Sequence, residues 1–311
     1  MQQTNGLSVS KLTLGTVQLG LPYGIGNKTG MPTQEESAAI LQAALDGGVN
    51  CLDTAGAYGK SEQVLGHFFQ GKTKPLIVTK VVLKAGTDES LATQFFRSVE
   101  QSRAELGYES LPVLMLHQPD ILKRHGDEVT ALFEEAKAKG LIERAGLSLG
   151  SNVDEQYMDI RRYTQLPVYE AIQVAFNALD HRLINHGWLA ELRGWGKTIF
   201  VRSVFLQGLL VMQENDVPPH LADAKEPLSR FRELAARYGL SAAQAAISFV
   251  RDLPEVDSLV MGAETAEQVQ DNVKLIDGPA MPEALRAEIM QKLSGLPEAI
   301  IDPVKWPVKF N

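Results

Sequence analysis

Short apolar segments alternate with longer segments of helical period along almost the whole chain. The apolar segments stand at residues 12–16, 49–53, 76–81, 112–117, 142–148, 171–176, 198–203 and 257–262. Short apolar runs bounded by turn residues are typical of buried strands. Strands that alternate with helices favour a parallel sheet built from strand–helix units. The pattern therefore predicts eight such units.

The segments between the apolar runs carry helix start signals. Thr33 and Glu36 have the spacing of a capping box, and the helix that they begin ends at the glycine pair 47–48. Three later helices are predicted to start in the same way, at Ser241 with Gln244, Thr265 with Gln268, and Asn152 with Glu155.

Eight strand–helix units without a linker between them predict one domain over residues 1–311, a (β/α)8 TIM barrel. An N-terminal hairpin at residues 6–10 and a C-terminal helix with a tail complete this fold prediction. The main alternative is a doubly wound open sheet. It normally has a GxGxxG turn after its first strand, and residues 20–26 do not have that spacing.

Composition and charge narrow the classes of partner. The chain has 311 residues, 44% hydrophobic and 22% charged, which is typical of a folded globular protein. A net charge of −8 argues against a nucleic-acid partner, and no apolar stretch reaches the ~18 residues of a membrane span. Cys51 is the only cysteine and no histidine pair has zinc-site spacing, so neither a disulfide nor a metal site is predicted. We expect a cytoplasmic protein, monomeric or weakly homo-oligomeric.

Strand parity brings polar residues to one end of the predicted barrel. Side chains alternate between the interior and the helix layer, and active sites lie at the carboxyl ends of the strands. Counting by twos along five consecutive strands predicts five polar side chains that point inward at those ends. They are Asp53, Lys80, His117, Ser148 and Gln173.

This set suits protonation of a carbonyl oxygen. Asp53 is the adjacent counter-ion that keeps a buried Lys80 charged. A cation beside a phenol makes it a better proton donor, and Tyr58 lies in the loop after Asp53. Each residue alone also has a structural explanation, but their convergence on one end favours catalysis. A Schiff-base role for Lys80 is weaker, because its pairing with an acid keeps it protonated.

The same residues carry a family resemblance. In order along the chain stand Asp53-Thr-Ala-Gly-Ala-Tyr58, Thr79-Lys80, Leu116-His117, Gly146-Leu-Ser148, Gln173-Val-Ala-Phe-Asn177, Ser203-Val-Phe-Leu-Gln-Gly208, and Gly262-Ala with Asn272. These motifs resemble the aldo-keto reductases. The resemblance implies reduction of an aldehyde or ketone, sugar-like carbonyls included, with NADPH or NADH as cofactor.

The resemblance also implies roles for individual residues. Tyr58 would be the general acid, with Asp53, Lys80 and His117 as its partners, and Tyr23 would join Tyr58 and His117 in the substrate pocket. Ser148 and Gln173 would hold the carboxamide of the cofactor. The remaining cofactor residues would be Arg202, Ser203, Phe205, Gln207, Gly208, Gly262, Glu264, Gln268 and Asn272. Barrels of this family also serve as non-enzymatic NADP(H)-binding redox sensors or regulatory subunits, which is the alternative function.

Three positions depart from the common family pattern. Leu149 stands where many members have asparagine, and Arg202 stands where many have an aromatic residue that stacks on the nicotinamide. Glu264 stands where NADPH-preferring members have cations, with Lys274 as the nearby cation that would have to serve instead. A carboxylate there suits the ribose hydroxyl of NADH better than a phosphate.

Overall fold

The computed structural model describes residues 2–4, 7–24, 30–151 and 153–306. Within these residues the strands are β1 Gln2–Thr4, β2 Leu7–Val9, β3 Leu12–Gly15, β4 Cys51–Asp53, β5 Leu76–Val81, β6 Leu111–Leu116, β7 Ile142–Ser148, β8 Tyr169–Ala175, β9 Thr198–Arg202 and β10 Ser258–Gly262. Eight parallel strands form a closed barrel in the order β10-β3-β4-β5-β6-β7-β8-β9, which confirms the predicted (β/α)8 fold.

Helices surround the barrel and cross its ends. They are α1 Val17–Gly20, α2 Gln34–Asp46, α3 Ser61–Phe68, α4 Leu91–Leu106, α5 Leu122–Ala138, α6 Val153–Thr164, α7 Arg182–Asn185, α8 Trp188–Gly194, α9 Lys225–Arg237, α10 Ala242–Arg251, α11 Ala266–Ile276, α12 Glu283–Lys292 and α13 Glu298–Ile301. Short 3₁₀ segments stand at Pro119–Ile121, Leu206–Val211, Glu214–Asp216, Pro219–Ala224 and Pro303–Lys305.

The period of two along the strands separates two buried layers. One cluster fills the barrel, and its members include Cys51, Val78, Met115 and Phe200, each fully buried. The residues of opposite parity, such as Leu52 and Ile77, belong to the larger cluster between the barrel and the helices. Each large apolar side chain removed from water contributes about 1.5–3 kcal/mol, so both layers stabilise the closed barrel.

The N-terminal hairpin closes the barrel at the end opposite the strand carboxyl termini. Strands β1 and β2 pair in antiparallel fashion, and the chain then enters β3 at its amino end. Leu7 and Val9 are 2% exposed and pack into the interior cluster with Cys51 and Phe200. The hairpin therefore excludes water from the base of the barrel and leaves its other end accessible.

Three of the predicted helix starts are confirmed. Thr33 and Glu36 form a complete capping box, and Ser241 and Thr265 each accept a hydrogen bond from a backbone N–H of their own helix. The fourth start, at Asn152, lies outside the described residues, as do Gly6 of the predicted hairpin and the end of the C-terminal tail.

Strand limits differ from the predicted ones by no more than two residues: some predicted runs extend into the adjoining loops, whereas β8 begins two residues before its predicted run, at Tyr169. The second predicted strand, for example, starts at Cys51 rather than at residue 49. The C-terminal region contains two helices, α12 and α13, where one was predicted. Within the described part of the chain, no helix has both the length and the apolar character needed to cross a membrane.

Candidate active site

A cleft of about 650 Å³ opens at the carboxyl end of the barrel strands. The sequence-predicted residues that line it are Tyr23, Asp53, Tyr58, His117, Ser148, Arg202, Ser203, Phe205, Gln207, Gly208, Gly262, Glu264, Gln268 and Asn272. Lys80 and Gln173 do not line the cleft and are 1% exposed, directly behind its wall. Residues separated by more than two hundred positions in the sequence thus share one cavity.

Asp53 and Lys80 form a buried ion pair at the base of the cleft. Lys80 Nζ lies 2.7 Å from Asp53 Oδ1 and 2.8 Å from Oδ2, and it also donates to the Thr54 carbonyl at 2.9 Å. Burial disfavours the charged form of Lys80, but Asp53 and Tyr58 outweigh this effect and raise the pKa of the ammonium. Lys80 is therefore a fixed cation and not a nucleophile.

Tyr58 lies between this cation and the cleft. Lys80 Nζ is 5.0 Å from the centre of the Tyr58 ring, and the nearby phenol adds to the effect of Asp53 in raising the pKa of the ammonium. The Tyr58 ring also meets the His117 ring edge-on, with centroids 5.5 Å apart. Lys80, Tyr58 and His117 thus lie around the point of the cleft at which an oxygen atom of a ligand would contact the Tyr58 phenol.

His117 is a neutral member of this group. Burial, followed by the positive charges of Lys80 and Arg202, lowers the pKa of His117 to about 3. Its Nδ1 is buried without a hydrogen-bond partner among the described residues. Neutral imidazole offers one donor and one acceptor, so His117 can bind a ligand oxygen without adding charge.

The loop that carries Tyr58 is anchored to neighbouring strands. The Gly56 amide donates to the Lys80 carbonyl at 3.2 Å, which places the loop directly over β5. After the loop, buried Glu62 accepts from Thr79 Oγ1 at 2.5 Å and from Ser102 Oγ at 3.1 Å. These contacts hold the phenol in register with Lys80. Glu62 is a residue of the site that is not among the sequence predictions.

Gln173 and Ser148 extend the hydrogen-bond network toward the cleft wall. Gln173 Nε2 donates to Asp53 Oδ2 at 2.7 Å, and Ser148 Oγ donates to Gln173 Oε1 at 3.1 Å. Gln173 is 1% exposed, and its amide oxygen is bonded to Ser148, which lines the cleft. The resemblance implies that both residues hold the carboxamide of the cofactor; Ser148 lines the cleft, and Gln173 lies directly behind it.

Arg202 is the only lysine or arginine among the described residues that line the cleft. Its guanidinium donates to the Leu149 carbonyl at 2.9 Å and to Ser203 Oγ at 3.1 Å, both neutral groups. Nearby Tyr23 is largely enclosed, and burial raises the pKa of its phenol while Arg202 opposes the shift. Arg202 therefore makes this side of the cleft electropositive.

The segment after β9 has an unusual backbone. Ser203, Leu206 and Gln207 have positive φ angles of 64°, 49° and 55°, and Gly208 follows at 96°. Residues other than glycine rarely adopt positive φ angles, so the segment stores conformational strain. Such strain concentrates at ligand-binding sites, and this is the segment expected to bind the pyrophosphate.

The far end of the cleft is formed by β10 and the start of α11. A Cβ at Gly262 would lie 2.4 Å from the end of the Gln18 side chain, so a larger residue here would require that side chain to shift. Glu264 lines the cleft, and burial raises the pKa of its carboxyl group. Lys274 pairs instead with Asp271 at 2.9 Å on the exposed face of α11, so it does not supply the cation considered from the sequence.

Unpaired polar atoms around the cleft fit a large polar ligand. Gln18 Oε1, Gln207 Oε1 and His117 Nδ1 are all buried, and none has a hydrogen-bond partner among the described residues. Buried polar atoms without partners are costly, and a ligand that bonds them would relieve this cost. Together with the close approach at Gly262 and the strained segment, they fit a dinucleotide along the cleft.

Comparison with known proteins decides the family. The sequence profile described as Aldo/keto reductase family matches residues 11–289. The chain belongs to this family. Its relatives include an uncharacterized oxidoreductase, YqkF, from Bacillus subtilis, 25% identical over 90% of this chain and 91% of that protein. They also include a putative voltage-gated potassium channel subunit beta from Schizosaccharomyces pombe, 26% identical over 93% of this chain and 90% of that protein.

A solved structure supports the fold of this aldo/keto reductase family member. The holo form of aldo-keto reductase AKR11C1 from Bacillus halodurans superposes with a TM-score of 0.77. The two are 22% identical, and the match covers 96% of this chain and 98% of the other. Membership of the family supports an oxidoreductase with a nicotinamide cofactor.

Proposed function

We propose that the protein reduces an aldehyde or ketone to an alcohol with NADPH or NADH, with Tyr58 as the general acid. The observation that carries the proposal is the placement of the Tyr58 phenol between the buried Asp53–Lys80 pair and the open cleft. General acid catalysis requires a proton donor within reach of the reacting oxygen and a group that stabilises its conjugate base. Lys80 is that group, because its charge is held by Asp53.

Each side chain has one task in this reaction. Tyr58 donates its proton to the carbonyl oxygen, and the Lys80 ammonium stabilises the phenolate that remains. Neutral His117 binds the same oxygen and orients the carbonyl. The bound nicotinamide would supply the hydride that the carbonyl carbon receives. The cleft walls, Tyr23 among them, exclude water from the substrate.

The cofactor would be held along the cleft from Ser148 to Asn272. Ser148 would bind the carboxamide, residues 203–208 the pyrophosphate, and Gln268 and Asn272 the adenosine end. The cleft-lining carboxyl group of Glu264 favours a ribose hydroxyl over a 2′-phosphate at this end. We therefore propose that NADH can serve as cofactor as well as NADPH, the cofactor that most members of the family prefer.

A second candidate is a dinucleotide-binding regulatory subunit without turnover. The observation that favours it is the relative described as a potassium channel subunit beta. The two functions predict the same cofactor cleft, and they differ only in whether the bound cofactor is consumed.

A direct assay separates the two functions. Purified full-length protein is mixed with NADH or NADPH and a panel of small aldehydes, ketones and aldoses, and the absorbance of the reduced nicotinamide is followed. Carbonyl-dependent loss of absorbance supports the reductase. Tight binding of the reduced cofactor with no turnover on any carbonyl supports the regulatory subunit, and absence of both would overturn the proposed function.

A further inference from the structure

A second cavity, of about 730 Å³, lies outside the barrel between α2 and α3. We call it the α2–α3 groove. It is lined on one side by Gln34, Ala38 and Leu41 and on the other by Lys60, Val64 and Phe68. Leu19 of α1 lines the groove and the preceding Gln18 lines the active-site cleft, so α1 lies between the two cavities. Cavities of roughly 300–1,000 Å³ are typical of small-molecule sites.

The floor of the α2–α3 groove is apolar. Leu41 and Leu19 are 0% and 1% exposed, and the half-buried Val64 and Phe68 pack against the same core cluster. Met31 also lines the groove, and 44% of its surface is open to solvent. Apolar surface in contact with water is unfavourable, so a ligand with an apolar body would gain free energy by covering this floor.

The charged side chains that line the groove are all basic. They are Lys60 and Lys72, with His67 as a third group that is positive when protonated, and no acidic residue lines the groove in the described part of the chain. Lys72 Nζ lies 3.6 Å from the centre of the Phe68 ring, which holds its charge against the apolar wall. This basic character is opposite to the net charge of −8 of the whole chain.

Two acids on the same helices do not neutralise these cations. Glu36 accepts the Thr33 amide at 2.8 Å in the capping box of α2, and Glu62 is 2% exposed and bonded to Thr79. Neither of them lines the groove. Within the described ranges, Lys60 and Lys72 form no salt bridge, so both charges are available to an anion.

We propose that the α2–α3 groove is a second binding site, for a small amphipathic anion made of a carboxylate and an aliphatic chain. The chain lies on Leu19, Leu41 and Phe68, and the carboxylate meets Lys60 or Lys72. Inorganic phosphate would leave the apolar floor uncovered, and a neutral hydrocarbon would gain nothing from the two ammonium groups. The proposal does not depend on the proposed function, because the groove shares no lining residue with the active-site cleft.

The first test locates the ligand with methionine methyl groups. Met31 lines the groove and Met261 lines the active-site cleft, so each reports on one cavity. Full-length protein labelled with ¹³C at the methionine methyls is titrated with octanoate, and Met31→Leu and Met261→Leu assign the two resonances. We expect the Met31 resonance to shift in a saturable manner. A Met31 resonance that does not respond overturns the proposal, and so does a response of Met261 alone.

The second test separates the two parts of the ligand. Each buried methylene contributes a roughly constant free energy, so octanoate should bind about 10-fold more tightly than hexanoate. Octanoate should also bind about 10-fold more tightly than 1-octanol, the value of one charge-assisted contact. Inorganic phosphate should leave the Met31 resonance in place. Equal affinity of octanoate and 1-octanol, or of octanoate and hexanoate, would contradict the proposal.

Variants at the groove provide the final control. Lys60 and Lys72 are both exposed, so replacing them together, by Lys60→Gln and Lys72→Gln, leaves the core intact. This double variant should weaken octanoate binding by about 10-fold and leave 1-octanol binding unchanged. Lys84→Gln removes an exposed lysine outside the groove and should have no effect on either ligand. An equal loss in Lys84→Gln would reduce the effect to net charge. A Met31 resonance that moves with protein concentration alone would assign the groove to a second copy of this chain instead.

Discussion

The two ends of the cleft are built in opposite ways. At the reacting end, Asp53, Lys80 and Gln173 lie on strands, are buried and satisfy one another through short hydrogen bonds. At the nucleotide end, the backbone of 203–208 is strained, and Gln18 and Gln207 have buried oxygens without partners among the described residues. At the first end the ion pair and Gln173 satisfy one another without a ligand, and His117 Nδ1 beside them is the buried atom that lacks a partner among the described residues. At the second end a bound ligand would satisfy the unpaired oxygens. Rigid preorganisation suits proton transfer, whereas unsatisfied groups suit binding.

The largest expected effect concerns the proton donor at the reacting end. Tyr58→Phe removes only a hydroxyl group, so carbonyl reduction should fall by at least ~100-fold while the dissociation constant of the cofactor changes little. Turnover is measured with the best carbonyl of the panel. Tyr23→Phe, the control, removes the other cleft phenol and should cost far less. Comparable losses in the two variants would contradict the assignment of Tyr58.

The next effect tests whether the reacting end is complete in itself. Asp53→Asn leaves the buried Lys80 ammonium without its counter-ion, so the free energy of unfolding should fall by about 3 kcal/mol. Urea denaturation measures this loss. Asp271→Asn is the matched control, because it breaks the exposed pair with Lys274, and no measurable change is expected. Equal stability of Asp53→Asn and wild type would show that the pair is not buried.

The pH dependence of stability tests the electrostatics around His117. The pKa of His117 is about 3 in the folded protein, against an ordinary value of ~6.5. Between pH ~6.5 and about 3, the unfolded chain therefore binds a proton on this histidine that the folded chain does not. Stability therefore falls as the pH decreases from ~6.5 toward 3. His117→Gln should remove up to about 1.4 kcal/mol per pH unit of this decline, as measured by urea unfolding.

His67→Gln provides the reference for this experiment, because it makes the same substitution at an exposed histidine. An acid decline that is the same in His117→Gln and wild type would mean that His117 is accessible to protons in the folded state.

The smallest expected effect lies at the nucleotide end. If Glu264 borders the ribose, Glu264→Arg should shift the ratio of NADPH to NADH dissociation constants toward NADPH by ~10-fold, the value of one charge-assisted contact. Fluorescence titration measures both constants. Glu267→Arg adds the same charge to the exposed first turn of α11 and should leave the ratio unchanged. A ratio that does not respond to Glu264→Arg would place this carboxylate outside the ribose site.

The sequence predicted the reacting end more completely than the nucleotide end. Strand parity alone placed Asp53 and Lys80 at the barrel mouth, because the period of two follows from backbone geometry. It gave no signal for Gln18, which enters the cleft from α1, a helix of four residues without a periodic pattern. Glu62 could have been predicted from the sequence, because it is an acid on the apolar face of α3, directly after the Tyr58 loop.

The sequence by itself determined the barrel, the family and the convergence of Asp53, Tyr58, Lys80 and His117, because each depends on local period and order along the chain. Only the tertiary structure decided how Gln173 is oriented, since its partner Asp53 lies 120 positions away. It likewise decided that Lys274 pairs with Asp271 outside the cleft and that Arg202 binds neutral groups. The direction of a hydrogen bond and the pairing of a charge depend on distances between side chains, which strand and helix periodicity do not encode.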